Sequence, residues 1–480
     1  MPTHMDRPGP NVAAAAREIR KRLFVFCDGT WQDGVNKARP LTNVATLARC
    51  LEPVDRHGCL QIVYYDSGVG SVTSTPAQLV DGATGRGISA KIRNAYSFLS
   101  HNWNFREGED EIVLVGFSRG AFAVQCLASL ISDAGLLQKQ HLYYLRGLFT
   151  LWANQKTPRG GEKYKVYQAK LQSSRLLHRV KITACAVWDT VSSLGGIVQL
   201  PPRPLAFVGK EVPDCVQHAF QAVALDEERS KFQPVLWTSK PTTASVSQCW
   251  FLGSHADVGG NGDAALGGLS LVWMVGKLHG EVGVAFDDKE IAKHLKHRFL
   301  EWDITVSRFC HRIKETKRAV ATIPHSGQPT RQSWYWWLLG HQTRGGYLVD
   351  TQLVPTYIHF SARLTMAQKR HMCRPLKSWT TAWAEQESGL PKIQWHSGSG
   401  RQIVDEHPLT EQDKEYEILR KWCNGEYRFL DTDRGPFAAV EAPMTADELR
   451  GMAEFFRDHM KFENNKLSEG CMYSGSATAR

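Results

Sequence analysis

The sequence predicts an α/β fold: a mostly parallel sheet with helices on both faces, followed by a mainly helical C-terminal extension. Three observations lead there. Short apolar runs recur between residues 23 and 260, and each closes on small or acidic residues. The runs are nearly continuous rather than alternating, as in strands buried on both faces. Helical stretches separate them, most clearly 87–104 and 120–138, as crossovers between parallel strands require.

Taken in order, residues 1–20 carry Pro, Gly and little apolar content and read as a flexible lead. The run Leu23 to Cys27 then ends at Asp28-Gly29-Thr30, and Gln61 to Tyr65 ends at Asp66. Ile112 to Val115 runs into Gly116-Phe117-Ser118-Arg119-Gly120, Val180 to Trp188 ends at Asp189, and Cys249 to Gly253 ends at Ser254-His255-Ala256-Asp257. After about residue 285 the rhythm changes to charged helical stretches and the aromatic cluster Trp334-Tyr335-Trp336-Trp337. The expected organisation is a catalytic domain over 21–363 with its motifs in 21–285, an extension over 364–465 with helical spacing at 443–462, and a disordered tail over 466–480.

Composition limits the partners. A chain of 480 residues, 42% of them hydrophobic, can bury one large core or two smaller ones. Fifteen tryptophans imply large buried surfaces or an apolar binding face. The net charge of +10 favours anionic partners, so peripheral contact with an acidic membrane surface is allowed. No lysine-rich arm, zinc module or RNA-binding signature is present, which excludes nucleic acid as the expected partner. Eleven cysteines without a C-x-x-C pair argue against a disulfide framework and a zinc site, and fit a reducing, cytoplasmic setting. The N-terminus lacks the apolar core of a signal peptide, and no apolar run is long enough to span a bilayer.

The chemistry is carried by Gly116-Phe117-Ser118-Arg119-Gly120. A G-x-S-x-G turn between a strand and a helix is the nucleophile elbow of the α/β-hydrolase architecture. It lifts Ser118 Oγ above the sheet and aims the first N–H groups of the next helix at a developing oxyanion. Arg119 N–H is one expected donor, and Gly29 or Thr30 in the loop after the first strand the other. Ser118 needs a base, and the base needs a carboxylate, in the chain order Ser, acid, His. Two sets satisfy that order: Ser118, Asp189, His255, and Ser118, Asp257, His359. No cofactor or metal is required, although the acidic strand ends leave room for calcium.

Seven motifs in order then carry a resemblance: Phe26 to Trp31, Thr42-Asn43-Val44, Tyr65 to Gly70, Gly116 to Ala121, Trp188-Asp189-Thr190-Val191, Ala224 to Arg229, and Gly253 to Gly260. Over roughly residues 20–285 the sequence resembles the α/β-hydrolase domain family of unknown function that includes the class-one type VI secretion phospholipase effectors. The resemblance implies a lipase or phospholipase acting on glycerolipid acyl esters, with Asp189 as acid and His255 as base. Asp66 departs from it, standing where an uncharged residue is common. The rival readings are a small-ester or thioester hydrolase, and a catalytically silent binding protein on the same fold.

Several features have bland readings. Asp189 could simply pair with Arg119, and Asp28 shapes a loop rather than reacting. Gly82 to Gly87 lacks the Lys-Ser/Thr ending of a phosphate loop and reads as a helix entry. Arg229 with Asp226 and Glu227 reads as a structural ion-pair group. The cluster at 334–337 is either a lipid-facing patch or buried packing.

Overall fold

A computed structural model of the chain describes residues 20–29, 41–68, 85–105, 110–191, 205, 207–295, 341–348, 354–367, 373–385, 391–408 and 412–423. The aromatic cluster at 334–337, Thr30, the expected lead, the helical spacing at 443–462 and the tail lie outside them.

The elements run β1 (Lys21–Cys27), α1 (Asn43–Arg49), β2 (Leu60–Asp66), α2 (Gly85–Asn102), β3 (Glu111–Phe117), α3 (Arg119–Ala134) and a short β4 (Leu136–Leu137). Next come α4 (Leu145–Ala153), α5 (Gly160–Ser173), β5 (Leu177–His178), β6 (Ile182–Trp188), β7 (Val216–Ala224) and β8 (Ser245–Phe251). A one-turn helix α6 (His255–Val258) leads to α7 (Ala264–Val282). Beyond these lie β9 (Thr356–Ile358), α8 (Phe360–Ala367), β10 (Thr380–Glu385), β11 (Pro391–His396), β12 (Ile403–Glu406) and α9 (Lys414–Cys423).

Among the described residues ten strands form one sheet in the order β10-β11-β12-β9-β8-β7-β6-β3-β1-β2. Every pairing from β12 to β2 is parallel, and only β10–β11 and β11–β12 are antiparallel. The fold is therefore the expected α/β architecture. β1 shows why its apolar run is continuous. Leu23, Val25 and Cys27 face one core with Ile92, Phe122 and Trp152, while Phe24 and Phe26 face another with Val44, Trp273 and Ile418. A strand with helices on both sides has no solvent face, so alternation disappears. Trp152, Trp188, Trp237, Trp250 and Trp273 are all fully buried, which accounts for part of the tryptophan content as core.

β7 was not foreseen, because Val-Gln-His-Ala-Phe-Gln-Ala-Val-Ala mixes polar residues into its first half; it nonetheless lies between β6 and β8. The C-terminal part differs as well. Where a mainly helical extension beyond residue 363 is expected, β10, β11 and β12 continue the same sheet, and the boundary falls inside α8. Trp395 and Val404 pack with Trp250 and Ile358 in one apolar cluster. These strands are short and paired at an edge, so tertiary packing rather than a strong local pattern defines them.

Strand register sets up the site. Cys27 pairs with Gly116, Gly116 with Val187, Trp188 with Ala222 and Ala224 with Phe251. The C-terminal ends of β1, β3, β6, β7 and β8 thus align along one sheet edge, where groups collect in open parallel sheets. Asp66 also sits at that edge, paired with the nearly buried Lys91 of α2. A local cation thus compensates the Asp66 charge.

Candidate active site

Ser118 occupies the turn between β3 and α3 with φ 59° and ψ −124°. Such a conformation costs a non-glycine residue about 1–3 kcal/mol and persists only where neighbours enforce it. Here Ser118 N–H donates to Trp188 O at 3.0 Å, while α3 begins at the next residue. The flanking glycines are required by close approach rather than by dihedral freedom. A Cβ on Gly116 would lie 2.6 Å from Ala121 Cα, and one on Gly120 would lie 2.1 Å from Cys27 O.

Ser118 Oγ lies 2.8 Å from His255 Nε2, and His255 Nδ1 lies 2.6 Å from Asp189 Oδ2. Facing a carboxylate, Nδ1 carries the proton, which leaves Nε2 to accept from the serine hydroxyl. The three residues come from the ends of β3, β6 and β8, with β7 lying between the last two. His255 opens α6, whose N-cap Ser254 forms a reciprocal capping box with Asp257. Phe117 and Phe232 flank the imidazole, with ring centroids at 4.7 and 5.1 Å.

Asp189 is fully buried, and so is Arg344, whose Nη1 and Nη2 reach Asp189 Oδ1 and Oδ2 at 2.5 and 3.0 Å. Ala224 N–H donates to Asp189 Oδ1 at 2.9 Å. Burial works to raise the Asp189 carboxyl, but Arg344 and His255 outweigh it and hold it well below the usual carboxylate range. Sequence reasoning missed Arg344 altogether and offered Arg119 as a partner for Asp189; the cation the structure places there is Arg344. Arg344 stands 155 residues from Asp189 in Arg-Gly-Gly-Tyr, with no local pattern to mark it.

The alternative pair does not meet Ser118. Asp257 Oδ2 accepts from Ser254 N–H at 2.7 Å and Oδ1 from Asp263 N–H at 2.7 Å, so this carboxylate fastens the loop that carries His255. His359 is fully buried at the end of β9, with Nε2 2.9 Å from Glu415 Oε1 and Nδ1 2.7 Å from Ser361 Oγ. Glu415 also holds His407, with 3.3 Å between Oε2 and Nε2. This cluster ties α9 to the sheet.

The Glu415 cluster carries a pH prediction. Burial lowers His359, while Glu415 is held at about 2 because its bonds to His359 and His407 outweigh burial. Both groups bind protons more readily in the unfolded chain, so their contributions to stability are complete above the unfolded His value of about 6.5. Loss begins as pH falls below that value and steepens from about 4.5 towards about 2 as unfolded glutamate protonates. Between about pH 8 and about pH 5.5, where glutamate stays ionised in the unfolded chain, melting temperatures should therefore fall more steeply in Glu415→Gln than in wild type, because Glu415 raises His359 and its loss leaves the buried imidazole harder to protonate. Equal slopes would show that the cluster does not titrate with folding.

The remaining motif residues build the walls. Asp28 accepts from Gly29 N–H, Thr42 Oγ1 and Tyr65 Oη at 2.7, 2.7 and 2.6 Å, and burial raises its carboxyl despite these donors. It shapes the loop after β1, as expected. Gly29 N–H, one of the two candidates for the second oxyanion donor, donates to Asp28 Oδ1. Thr30, the other candidate, lies outside the described residues, and Arg119 is the first residue of α3. Asn43 Nδ2 donates to Val258 O, Gly267 O and Ser270 Oγ at 2.9–3.0 Å, joining α1 to the His255 loop and α7. Glu227 takes Arg229 with both oxygens at 2.8 Å and accepts His255 N–H at 3.2 Å. Arg229 lies 3.5 Å over the Phe232 ring, so the expected ion-pair group also supports the aromatic wall of the site. No group of three or more His, Cys, Asp or Glu side chains suited to a metal is found among the described residues. No helix there is long and apolar enough to cross a membrane.

A parallel sheet with a strained serine elbow and a Ser–His–Asp hydrogen-bond chain along its C-terminal edge defines the α/β-hydrolase-like class. Residues 21–277, more than half of the chain, match the model of the family described as "T6SS, Phospholipase effector Tle1-like, catalytic domain", and the chain belongs to that family. It is 28% identical over 238 residues to the uncharacterized protein YEL023C of Saccharomyces cerevisiae, a match covering 46% of this chain and 33% of the relative. The chain thus spans about a third of the length of that curated relative. Two solved structures are also similar. One is the Tle1 effector bound to the VgrG spike from the type 6 secretion system, with 18% identity, TM-score 0.29, and coverage of 50% of this chain and 51% of that one. The other is an uncharacterized protein from Pseudomonas aeruginosa, with 15% identity, TM-score 0.29, and coverage of 63% and 55%.

Proposed function

We propose that the chain is a serine ester hydrolase that cleaves the acyl esters of glycerolipids, with Ser118 as nucleophile, His255 as base and Asp189 as its orienting acid. The unbroken chain of hydrogen bonds from Ser118 Oγ through His255 to Asp189 carries this reading. Family membership supports the lipid substrate.

In acylation Ser118 Oγ bonds to the ester carbonyl carbon as its proton passes to His255 Nε2. Asp189 stabilises the imidazolium without taking a proton. Arg119 N–H, at the helix start, donates to the tetrahedral oxyanion. Collapse breaks the bond to the alcohol, which leaves with the proton from Nε2. Water then repeats the sequence on the acyl-enzyme: its proton goes to Nε2, its oxygen bonds to the acyl carbon, and the bond to Ser118 Oγ breaks as Nε2 returns a proton to that oxygen, releasing the acid. The excess of basic side chains favours an anionic lipid surface as the place where substrate is met.

A fluorophosphonate probe tests the nucleophile. Wild type is expected to label at one serine, and Ser118→Ala not at all. Folded wild type that never labels would sink the reading. Rates on a short-chain ester, below and above its aggregation limit, test the substrate. A rate that rises as the ester aggregates, and rises further on vesicles containing acidic lipid, is the expected result. A rate indifferent to aggregation would instead favour a small-ester hydrolase.

A further inference from the structure

We propose that Arg344 is a positioning residue of this site: its guanidinium holds Asp189 in the orientation that serves His255 and offsets the carboxylate's buried charge. The inference rests on the hydrolase reading above and adds to it a residue from beyond the family match, which ends at residue 277.

The geometry is that of a fork on a fork. Nη1 and Nη2 of a fully buried guanidinium meet the two oxygens of a fully buried carboxylate. The same two nitrogens also donate to Ala224 O, at 2.8 Å, and to Phe232 O. One group thus joins the acid, the end of the strand lying between acid and base, and the turn whose Phe232 ring lies against His255. Arg344 is delivered by a built attachment. Gln342 N–H donates to Glu228 O at 2.8 Å, His341 Nε2 lies 2.8 Å from Glu228 Oε2, and Arg229 and His341 form a β-bridge.

The charges explain why a cation belongs there. With neutral imidazole, a lone Asp189 would be an uncompensated buried anion, which is costly. With Glu227, which accepts the His255 N–H, already paired to Arg229, Arg344 makes the resting set neutral. The cation also opposes a second positive charge on the imidazole, so its removal should favour protonation of the base. A purely structural tether would affect folding without moving the pH dependence of turnover.

The test compares kcat and KM on a soluble p-nitrophenyl ester, from about pH 5 to about pH 9, for wild type, Ser118→Ala, Arg344→Lys and Arg344→Met, with melting curves for each. Folded Arg344→Met is expected to lose about tenfold or more in kcat, with KM within about twofold, and its acid limb should move to higher pH by about half a unit or more. Arg344→Lys keeps the charge but not the fork, so kcat should fall about fivefold while the acid limb stays in place. Wild-type kcat and acid limb in folded Arg344→Met would overturn the inference. If that variant does not fold, Arg344→Lys decides: wild-type kcat overturns the inference, and reduced kcat with unchanged KM supports it. Wild type without Ser118-dependent turnover overturns the hydrolase reading and this inference together. Unaltered Arg344 variants beside an active wild type overturn this inference alone.

Discussion

His255→Ala is expected to lower kcat by about 10⁴-fold or more while the chain stays folded, and His359→Ala is expected to lose stability while keeping its kcat. Both histidines are buried and both bond to a carboxylate, so sequence order alone does not separate them. Their outer contacts do. His255 Nε2 faces Ser118, and its loss leaves a serine with no proton acceptor. His359 spends both ring nitrogens on Glu415 and Ser361, so neither is directed at Ser118. Its loss breaks a buried pair and should cost about 3–5 kcal/mol of stability. At temperatures where His359→Ala remains folded, its kcat should stay within about threefold of wild type. Steady-state kinetics paired with urea unfolding separates the two effects. Retained turnover in His255→Ala, or a catalytic collapse in folded His359→Ala, would reverse the assignment.

Gly120→Ala is expected to destabilise the chain by about 3 kcal/mol or more, although alanine is the better helix former by about 1 kcal/mol. The clash decides the sign. The new Cβ would lie 2.1 Å from Cys27 O and 2.6 Å from Asp28 O, which are backbone atoms at the end of β1 and cannot swing aside as a side chain would. Relief would push α3 away from β1 and move Ser118 with it, since Gly120 lies two residues further along the same turn. Folded Gly120→Ala should therefore also label poorly with a fluorophosphonate. Urea unfolding that shows equal or greater stability would mean that the helix start has slack.

These predictions differ in how far the sequence alone could have reached them. The parallel α/β sheet was legible because strands buried on both faces leave continuous apolar runs, as in Leu23 to Cys27 and Ile112 to Val115. Expected helices at 87–104 and 120–138 stand at Gly85–Asn102 and Arg119–Ala134. The elbow was legible because strand, strained turn and helix lie within a few residues; Gly116 answers to Ala121 inside that turn, whereas Gly120 answers to Cys27 O and Asp28 O at the end of β1.

Contacts between distant segments were not legible. Which acid and which histidine meet Ser118 depends on strand order, and β7, the strand between Asp189 and His255, carries no clear alternation. The edge strands β10 to β12 were hidden for the same reason, since their burial comes from neighbours rather than from their own pattern. Arg344 left no trace, because a guanidinium 155 residues from its carboxylate has no spacing to betray it. The sequence by itself determined the sheet, the elbow and the set of candidate residues, all of which follow from periodicity and short-range sterics. Only the tertiary structure decided that Asp189, His255 and Arg344 share one site, because hydrogen bonds and buried charges are satisfied through space and not along the chain.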